Sequence, residues 1–356
     1  MSTRLFVSRA LRAILAFGLV ATLAASPAFA APQSDPGVVS SKVPDQQAQA
    51  AGTYWTPERM RQAKPAMRTL QGKPKSEGPS AESASSGPAV KIDPASATPK
   101  ATEATEATET PEATEAPIPL AATAVPRPYT NYPDRLNGKV FFTAATGGNF
   151  VCSATVVSSE NKSIVWTAGH CVHGGRGGLF HRNWVFVPAY SSSFDGHRPY
   201  GTWSARELWT RTEWAFNSNF RQDLGAVVVN RLNNQRIADA LGGQGIAFNQ
   251  SRNQSFSAFG YPQAPPFNGF LQWRCNSGRL SNDFPPGVGP ATLKIDCNMT
   301  GGSSGGGWLI SIASNGLGFL NGLNSYRYGS TPNNLFGPYH GNEALSLYNA
   351  VRNRPA

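Results

Sequence analysis

Cysteine is scarce, with four residues in 356: Cys152, Cys171, Cys275 and Cys297. No two of them form a CxxC pair, which argues against zinc held by paired thiolates. Acidic residues are also few. The chain has 21 Asp+Glu against 31 Lys+Arg, a formal net charge of +10. The cations are nevertheless scattered, and no Lys/Arg run builds the basic patch that nucleic-acid binding needs. A basic surface of this kind suits acidic partners or cell-wall polymers. Beyond the first 25 residues there is no long apolar run. No later segment is therefore expected to insert stably in a membrane. Nothing in the composition calls for a cofactor or a metal, and none is expected.

The N-terminus reads as an export signal. Arg4, Arg9 and Arg12 precede an apolar run from Leu11 to about Leu23, and Ala28 and Ala30 occupy the small-residue positions of a cleavage site. The run is too short to span a bilayer comfortably, so residues 1–30 are expected to be a signal peptide cut after Ala30, and the product to be secreted. Residues 31–125 are rich in Ala, Pro, Ser, Thr and Glu, and residues 101–116 repeat a glutamate every third position. That period fits neither a helix face nor a strand face, so the repeat reads as a solvated linker. Within this region Tyr54–Ala63 looks like an ordered island. Thr56 can cap a helix with Pro57 at its first position and Glu58 in its first turn. An island followed by a linker fits a pro-region, and it also fits a spacer from a cell surface.

From Pro126 the texture changes. Short runs rich in Val, Ile and aromatics, such as KVFFTA, NFVCSATVV, SIVWTA, NWVFVPAY and LGAVVVN, lie between Gly, Asn, Ser and Pro clusters. Such spacing argues for an all-β sandwich or barrel. Short helices are expected near Asn233–Leu241 and at Glu343–Val351. Residues 126–356 carry 19 Lys+Arg against 10 Asp+Glu and all four cysteines. An even cysteine count in an exported protein suggests two disulfides, and four cysteines allow three connectivities. Sequential pairing would close two short loops.

Three motifs carry chemistry. VWTAGHC presents His170 after a β-rich run, RQDLGAVVV places Asp223 before an apolar strand, and TGGSSGGGW sets Ser303 and Ser304 among glycines. A serine hydroxyl needs a base to take its proton, histidine titrates in the right range, and a carboxylate fixes the imidazole tautomer. Glycines permit a tight turn whose N–H groups can meet a developing oxyanion. The elbow G-x-S-x-G of lipases also fits Gly302–Gly306. That fold, however, needs Asp or Glu and then His after the serine; no aspartate follows Ser304, and His340 precedes the only glutamate, Glu343.

TAGHC, DLGAVVV and GGSSGG, in that order, closely resemble the chymotrypsin/trypsin-fold serine peptidases. TAGHCVHGG and CNMTGGSSGGGW are similar to secreted bacterial members, including the branch related to glutamyl endopeptidases. The resemblance covers roughly residues 135–350. It implies two antiparallel six-stranded barrels, about 126–235 and 236–345, followed by a short C-terminal helix. It also implies a catalytic triad of His170, Asp223 and Ser304, and an oxyanion hole from the N–H groups of Gly302 and Ser304. Cys152–Cys171 would staple the histidine loop, leaving Cys275–Cys297. Ser303 stands where many animal members have an aspartate that pairs with a new N-terminus, so activation by that ion pair is not expected; the pro-region would block the cleft or assist folding instead. Asn298, Met299, Asn324, Ser325 and Tyr326 would line the substrate pocket, with Asn298 at its base. These residues suggest an uncharged preference rather than Arg, Lys or Glu. His173, His181 and His197 lie in polar stretches and are expected mostly at the surface, His340 is expected to be ordinary, and Asp195 is the weaker candidate for the triad acid. The expected protein is a monomeric secreted serine endopeptidase acting on proteins or peptides. The alternative is a catalytically inactive protease-fold binding protein.

Overall fold

The alternation of KVFF (Lys139–Phe142) organises the N-terminal half of the domain. Val140 and Phe142 join the main core, while Phe141 points to the other face and packs with Val185, Val187 and Tyr190. Successive strand residues face opposite sides, so this strand is apolar on both. The computed structural model describes residue 1 and residues 37–76, 87–97, 122–191 and 198–356. Residues 2–30 of the expected signal peptide and the glutamate repeat lie outside the described residues, as do Asp195 and His197.

The first barrel closes through six antiparallel strands. Asn137–Thr143 pairs with Asn149–Val157, which pairs with Ile164–Thr167. The ring continues through Gly225–Val229, Trp203–Arg211 and Arg182–Pro188, and the last returns to Asn137–Thr143. The second barrel runs Gly307–Ile310, Ser255–Gly260, Trp273–Asp283, Thr292–Asp296, Asn334–Gly337 and Tyr326–Tyr328. Phe319–Leu323 pairs with Gly307–Ile310 and lies two residues before Tyr326. One kinked strand thus closes the second ring, leaving few free edges. Both disulfides are sequential: Cys152–Cys171 and Cys275–Cys297.

The C-terminal helix spans Asn342–Val351 and buries Ala344, Leu347, Tyr348 and Val351 on one face. The helix expected from Asn233 begins only at Ile237. Asn233 and Asn234 have φ of 50° and 62°, a left-handed turn that an α-helix cannot include. The Thr56 cap is formed: its Oγ1 accepts from Arg59 N at 3.2 Å, and the helix is Pro57–Gln62. Two further helices, Asp45–Tyr54 and Thr212–Asn217, were not expected.

Segments upstream of Pro126 take part in both sheets. Val38–Lys42 pairs with Trp203–Arg211, Val90–Ile92 with Gly245–Phe248, and Ala122–Ala124 with Trp273–Cys275. Lys64–Pro65 lies parallel to Phe150–Val151, and Arg68–Leu70 lies parallel to Tyr326–Tyr328. Ala51, Trp55, Met60 and Ala63 pack on the outward face of Phe141, Val185 and Val187. Among the described residues no helix is long and apolar enough to cross a membrane.

Candidate active site

His170 sits in the turn Gly169–Cys171 that follows the Ile164–Thr167 strand, and the disulfide ties that turn to the neighbouring Asn149–Val157 strand. The turn needs a glycine before the histidine, since a Cβ on Gly169 would lie 2.8 Å from the Trp214 ring and 2.9 Å from Asp223 Oδ1. Asp223 follows a short turn capped by Asn219, whose Oδ1 accepts from Arg221 N at 3.0 Å. The carboxylate is fully buried and its partners are specific. Oδ1 accepts from the backbone N–H of His170 at 2.7 Å, and Oδ2 lies 2.8 Å from His170 Nδ1. Ser325 Oγ donates to Oδ2 at 2.5 Å. Ionised carboxylates accept such bonds strongly, so Nδ1 carries the proton and Nε2 a free lone pair.

Ser304 lies on the turn before the Gly307–Ile310 strand, in the other barrel. Its carbonyl accepts from Ser153 N at 2.6 Å and lies 3.6 Å from Cys171 Sγ, which brings the serine against the histidine loop. Ser304 Oγ and His170 Nε2 are both buried, and neither has a hydrogen-bond partner among the described residues. The preceding peptide is oriented firmly. The Gly301 carbonyl accepts from Gln263 N at 2.7 Å and Ala264 N at 3.0 Å, and the Gly302 carbonyl accepts from Ser153 Oγ at 2.9 Å. Gly302 has φ +102°, and a Cβ there would lie 2.6 Å from the Tyr261 carbonyl. The N–H groups of Gly302 and Ser304 donate to no carbonyl or side chain among the described residues. Ser303 holds the turn locally, its Oγ donating to the Thr300 carbonyl at 2.8 Å.

Solved structures place this arrangement among known proteins. The crystal structure of protease Anisep from Arthrobacter nicotinovorans is 44% identical, with a TM-score of 0.57, over 63% of this chain and 99% of that one. A thermostable serine protease, AL20, from an extremophilic microorganism is also 44% identical, with a TM-score of 0.56, over 62% of this chain and 97% of that one. The chain belongs to the chymotrypsin-like serine peptidases. A Glu endopeptidase solved with MPD shares the fold at 15% identity and a TM-score of 0.51, over 65% of this chain and 97% of that one. No protein-family model matches the chain, and no curated protein matches it.

Within the peptidase fold the five expected pocket residues separate. Asn298 is nearly buried and accepts from Ala122 N at 3.0 Å. Met299 is buried in the second barrel's apolar cluster, against which Met67 packs. Tyr326 stacks on Phe336 and donates to Asp283 Oδ2 at 2.7 Å. Ser325 is spent on Asp223. Asn324 is spent on the framework: its Nδ2 donates to the Phe259 and Ser303 carbonyls, and its Oδ1 accepts from Trp308 Nε1. It therefore steadies the turn of the candidate nucleophile and has no hydrogen left for a bound residue.

Two histidines expected at the surface are buried. His181 stacks on Phe142 at 4.3 Å, and its Nε2 lies 3.1 Å from the His170 carbonyl. A carbonyl only accepts, so Nε2 holds the proton. Nδ1 is buried with no partner, and burial pushes the imidazole down to about 4. His173 is also buried; its Nδ1 accepts from Gly175 N, and its carbonyl accepts from Trp214 Nε1. Long-range stacking of this kind leaves no mark in a local sequence. His340 lies fully buried against Trp166 and Phe248. Cys152, His170 and Cys171 bring three potential ligand atoms together. Both sulfurs are spent in the disulfide and Nδ1 faces Asp223, so this cluster does not fit a metal.

Proposed function

We propose that the protein is a serine endopeptidase made as a secreted pre-pro-protein. One observation carries this reading: a buried Asp223 engages His170 through both Nδ1 and the backbone N–H, leaving Nε2 unpartnered, and the hydroxyl of Ser304, whose carbonyl meets the histidine loop, is likewise buried and unpartnered. His170 Nε2 takes the proton of Ser304 as Oγ bonds to the carbonyl carbon of the substrate. Asp223 stabilises the imidazolium without taking its proton. The N–H groups of Gly302 and Ser304 receive the oxyanion. Collapse breaks the C–N bond, and the leaving amine takes the proton from Nε2. Water then adds to the acyl-enzyme by the same route in reverse and releases the acid and Ser304. Removing one oxyanion donor typically costs ~3–4 kcal/mol of transition-state stabilisation. The two disulfides support export to an oxidising compartment.

An uncharged residue before the cut is the favoured substrate class. Met67 already packs against the cluster that includes Met299, and Asn298 offers the pocket no charge. The test is labelling by a fluorophosphonate probe after N-terminal processing, with peptide-library profiling of the processed form. Labelling that is lost in Ser304→Ala is expected. Equal labelling of that variant would leave the inactive binding protein as the better reading, and dominance of Arg, Lys or Glu before the cut would overturn the uncharged pocket.

A further inference from the structure

We propose that Lys64–Leu70 is a built-in plug that lies in the cleft backwards, closing the site without offering it a bond to cut. The proposal rests on the peptidase reading above.

The segment touches both lips of the cleft. Lys64 and Pro65 pair with Phe150 and Val151 of the first barrel, and Ala66 N donates to the Val151 carbonyl at 3.2 Å. Arg68, Thr69 and Leu70 pair with Tyr326, Arg327 and Tyr328 of the second. Between the two ladders the chain crosses Gly301, beside the oxyanion turn. A Cβ on Gly301 would lie 3.0 Å from Pro65 Cβ and 3.4 Å from Met67 Cβ. His170 and Ser304 are 3% and 0% exposed, as a plugged site requires, and in this proposal no substrate reaches them while the segment stays.

Direction follows from the chemistry. The acyl half of a substrate remains on Ser304, beside Gly301, Gly302 and the Tyr326–Tyr328 edge, all in the second barrel. The leaving half collects its proton from His170 and departs along the first barrel, past Phe150–Val151. A substrate therefore runs, N to C, from the second barrel to the first, antiparallel to Tyr326–Tyr328. Lys64–Leu70 runs from the first barrel to the second, parallel to that edge. Each of its peptide nitrogens then lies on the side where the acyl carbon belongs. An amine expelled from such a peptide would leave away from the His170 proton, and collapse would return Ser304 Oγ instead.

Both ends of the plug are held. Gln263 Nε2 donates to the Ala63 carbonyl at 2.6 Å, and Trp55 is buried on the first barrel. On the far side Ser330 Oγ donates to the Gly72 carbonyl at 2.8 Å, and Lys75 N donates to Asp283 Oδ1 at 2.6 Å. Asp283 is the same carboxylate that Tyr326 and Tyr328 engage. Opening the site thus requires displacement of this segment, and cutting elsewhere in the chain matters only as far as it loosens these holds.

The test uses the whole chain from Ala31, intact and with either Ala66→Pro, which removes the N–H given to Val151, or Met67→Asp, which sets a charge against the apolar cluster. Folding of each is checked by near-UV circular dichroism, so that one variant serves if the other fails. The rate of fluorophosphonate labelling at Ser304 should be on the order of tenfold or more lower in the intact chain, because only the open fraction reacts. Mass spectrometry should find no Ser304-dependent cut within residues 64–70. Equal labelling of the intact chain and the variants would overturn the plug. A cut within 64–70 that disappears in Ser304→Ala would overturn its reversed direction. Absence of labelling in every folded form would overturn the peptidase reading, and the plug with it.

Discussion

Lys139 is a lysine almost wholly removed from water, and its titration should be legible in the stability of the whole fold. It is 2% exposed, donates to Gln263 Oε1 at 2.8 Å and the Gly269 carbonyl at 2.9 Å, and lies over the Phe141 and Tyr190 rings. Among the described residues no carboxylate contacts it, and burial pushes the ammonium from its ordinary 10.5 down to about 7. Above pH 7 the folded chain gives up a proton that the unfolded chain keeps until about pH 10.5. Stability must therefore rise with pH across that window. At about 1.4 kcal/mol per unit, and allowing for half-titration at pH 7, the gain between pH 7 and 9 is about 2 kcal/mol. Lys139→Met keeps the volume and removes the proton, but it strands two carbonyl acceptors at about 1 kcal/mol each. Between pH 7 and 9 the wild type should gain about 2 kcal/mol on Lys139→Met, whose stability lacks this rise. Urea unfolding of both in a Ser304→Ala background, which prevents self-digestion, measures the difference. The described chain has no free thiol to interfere at alkaline pH. A flat or falling wild-type profile, or the same rise in Lys139→Met, would refute the assignment of the buried charge.

Gly302→Ala should lower kcat by about 10²–10³ in the processed enzyme, because φ +102° and the Tyr261 carbonyl leave no room for a methyl and the oxyanion N–H must move. Single-turnover acylation checks this, and a fall of less than about tenfold, or ~1.4 kcal/mol, would contradict it. On the acid side, the folded His181 is pushed down to about 4 while the unfolded one titrates near 6.5. Its contribution is present above pH 6.5 and is lost as pH falls toward 4. Urea midpoints should then drop more steeply from pH 6.5 to 4.5 in the wild type than in His181→Gln; parallel curves would argue against it.

The candidate site could be proposed from sequence because each member sits in a short local pattern: a strand ending in TAGHC, an aspartate before an apolar run, and a serine among glycines. The disulfides follow the same loops. The Thr56 cap was legible for the same reason, since capping is decided within four residues. What could not be read depends on distant partners. KPAMRTL has no strand alternation and contains a proline, and it is extended only because the lips of the cleft offer their edges. Asp45–Tyr54 buries little beyond Ala48 and Ala51, too weak an apolar stripe to announce a helix. The burial of His181 depends on Phe142, and the commitment of Asn324 depends on Phe259 and Trp308, many residues away.

The outward side of the KVFF strand bears on handling the molecule. Phe141, Val185, Val187 and Tyr190 turn away from the first barrel's own core and are buried in a cluster to which Trp55, Met60 and Ala63 contribute, with Tyr261 beside them. A chain begun at Pro126 would present these four side chains to solvent as one greasy patch on an otherwise cationic body. Such a patch favours self-association, most of all at high salt, where the positive charges no longer keep copies apart. The N-terminal region is thus a solubility device as much as a cover for the cleft, and shortened versions of the protein should be judged by light scattering before they are judged by activity.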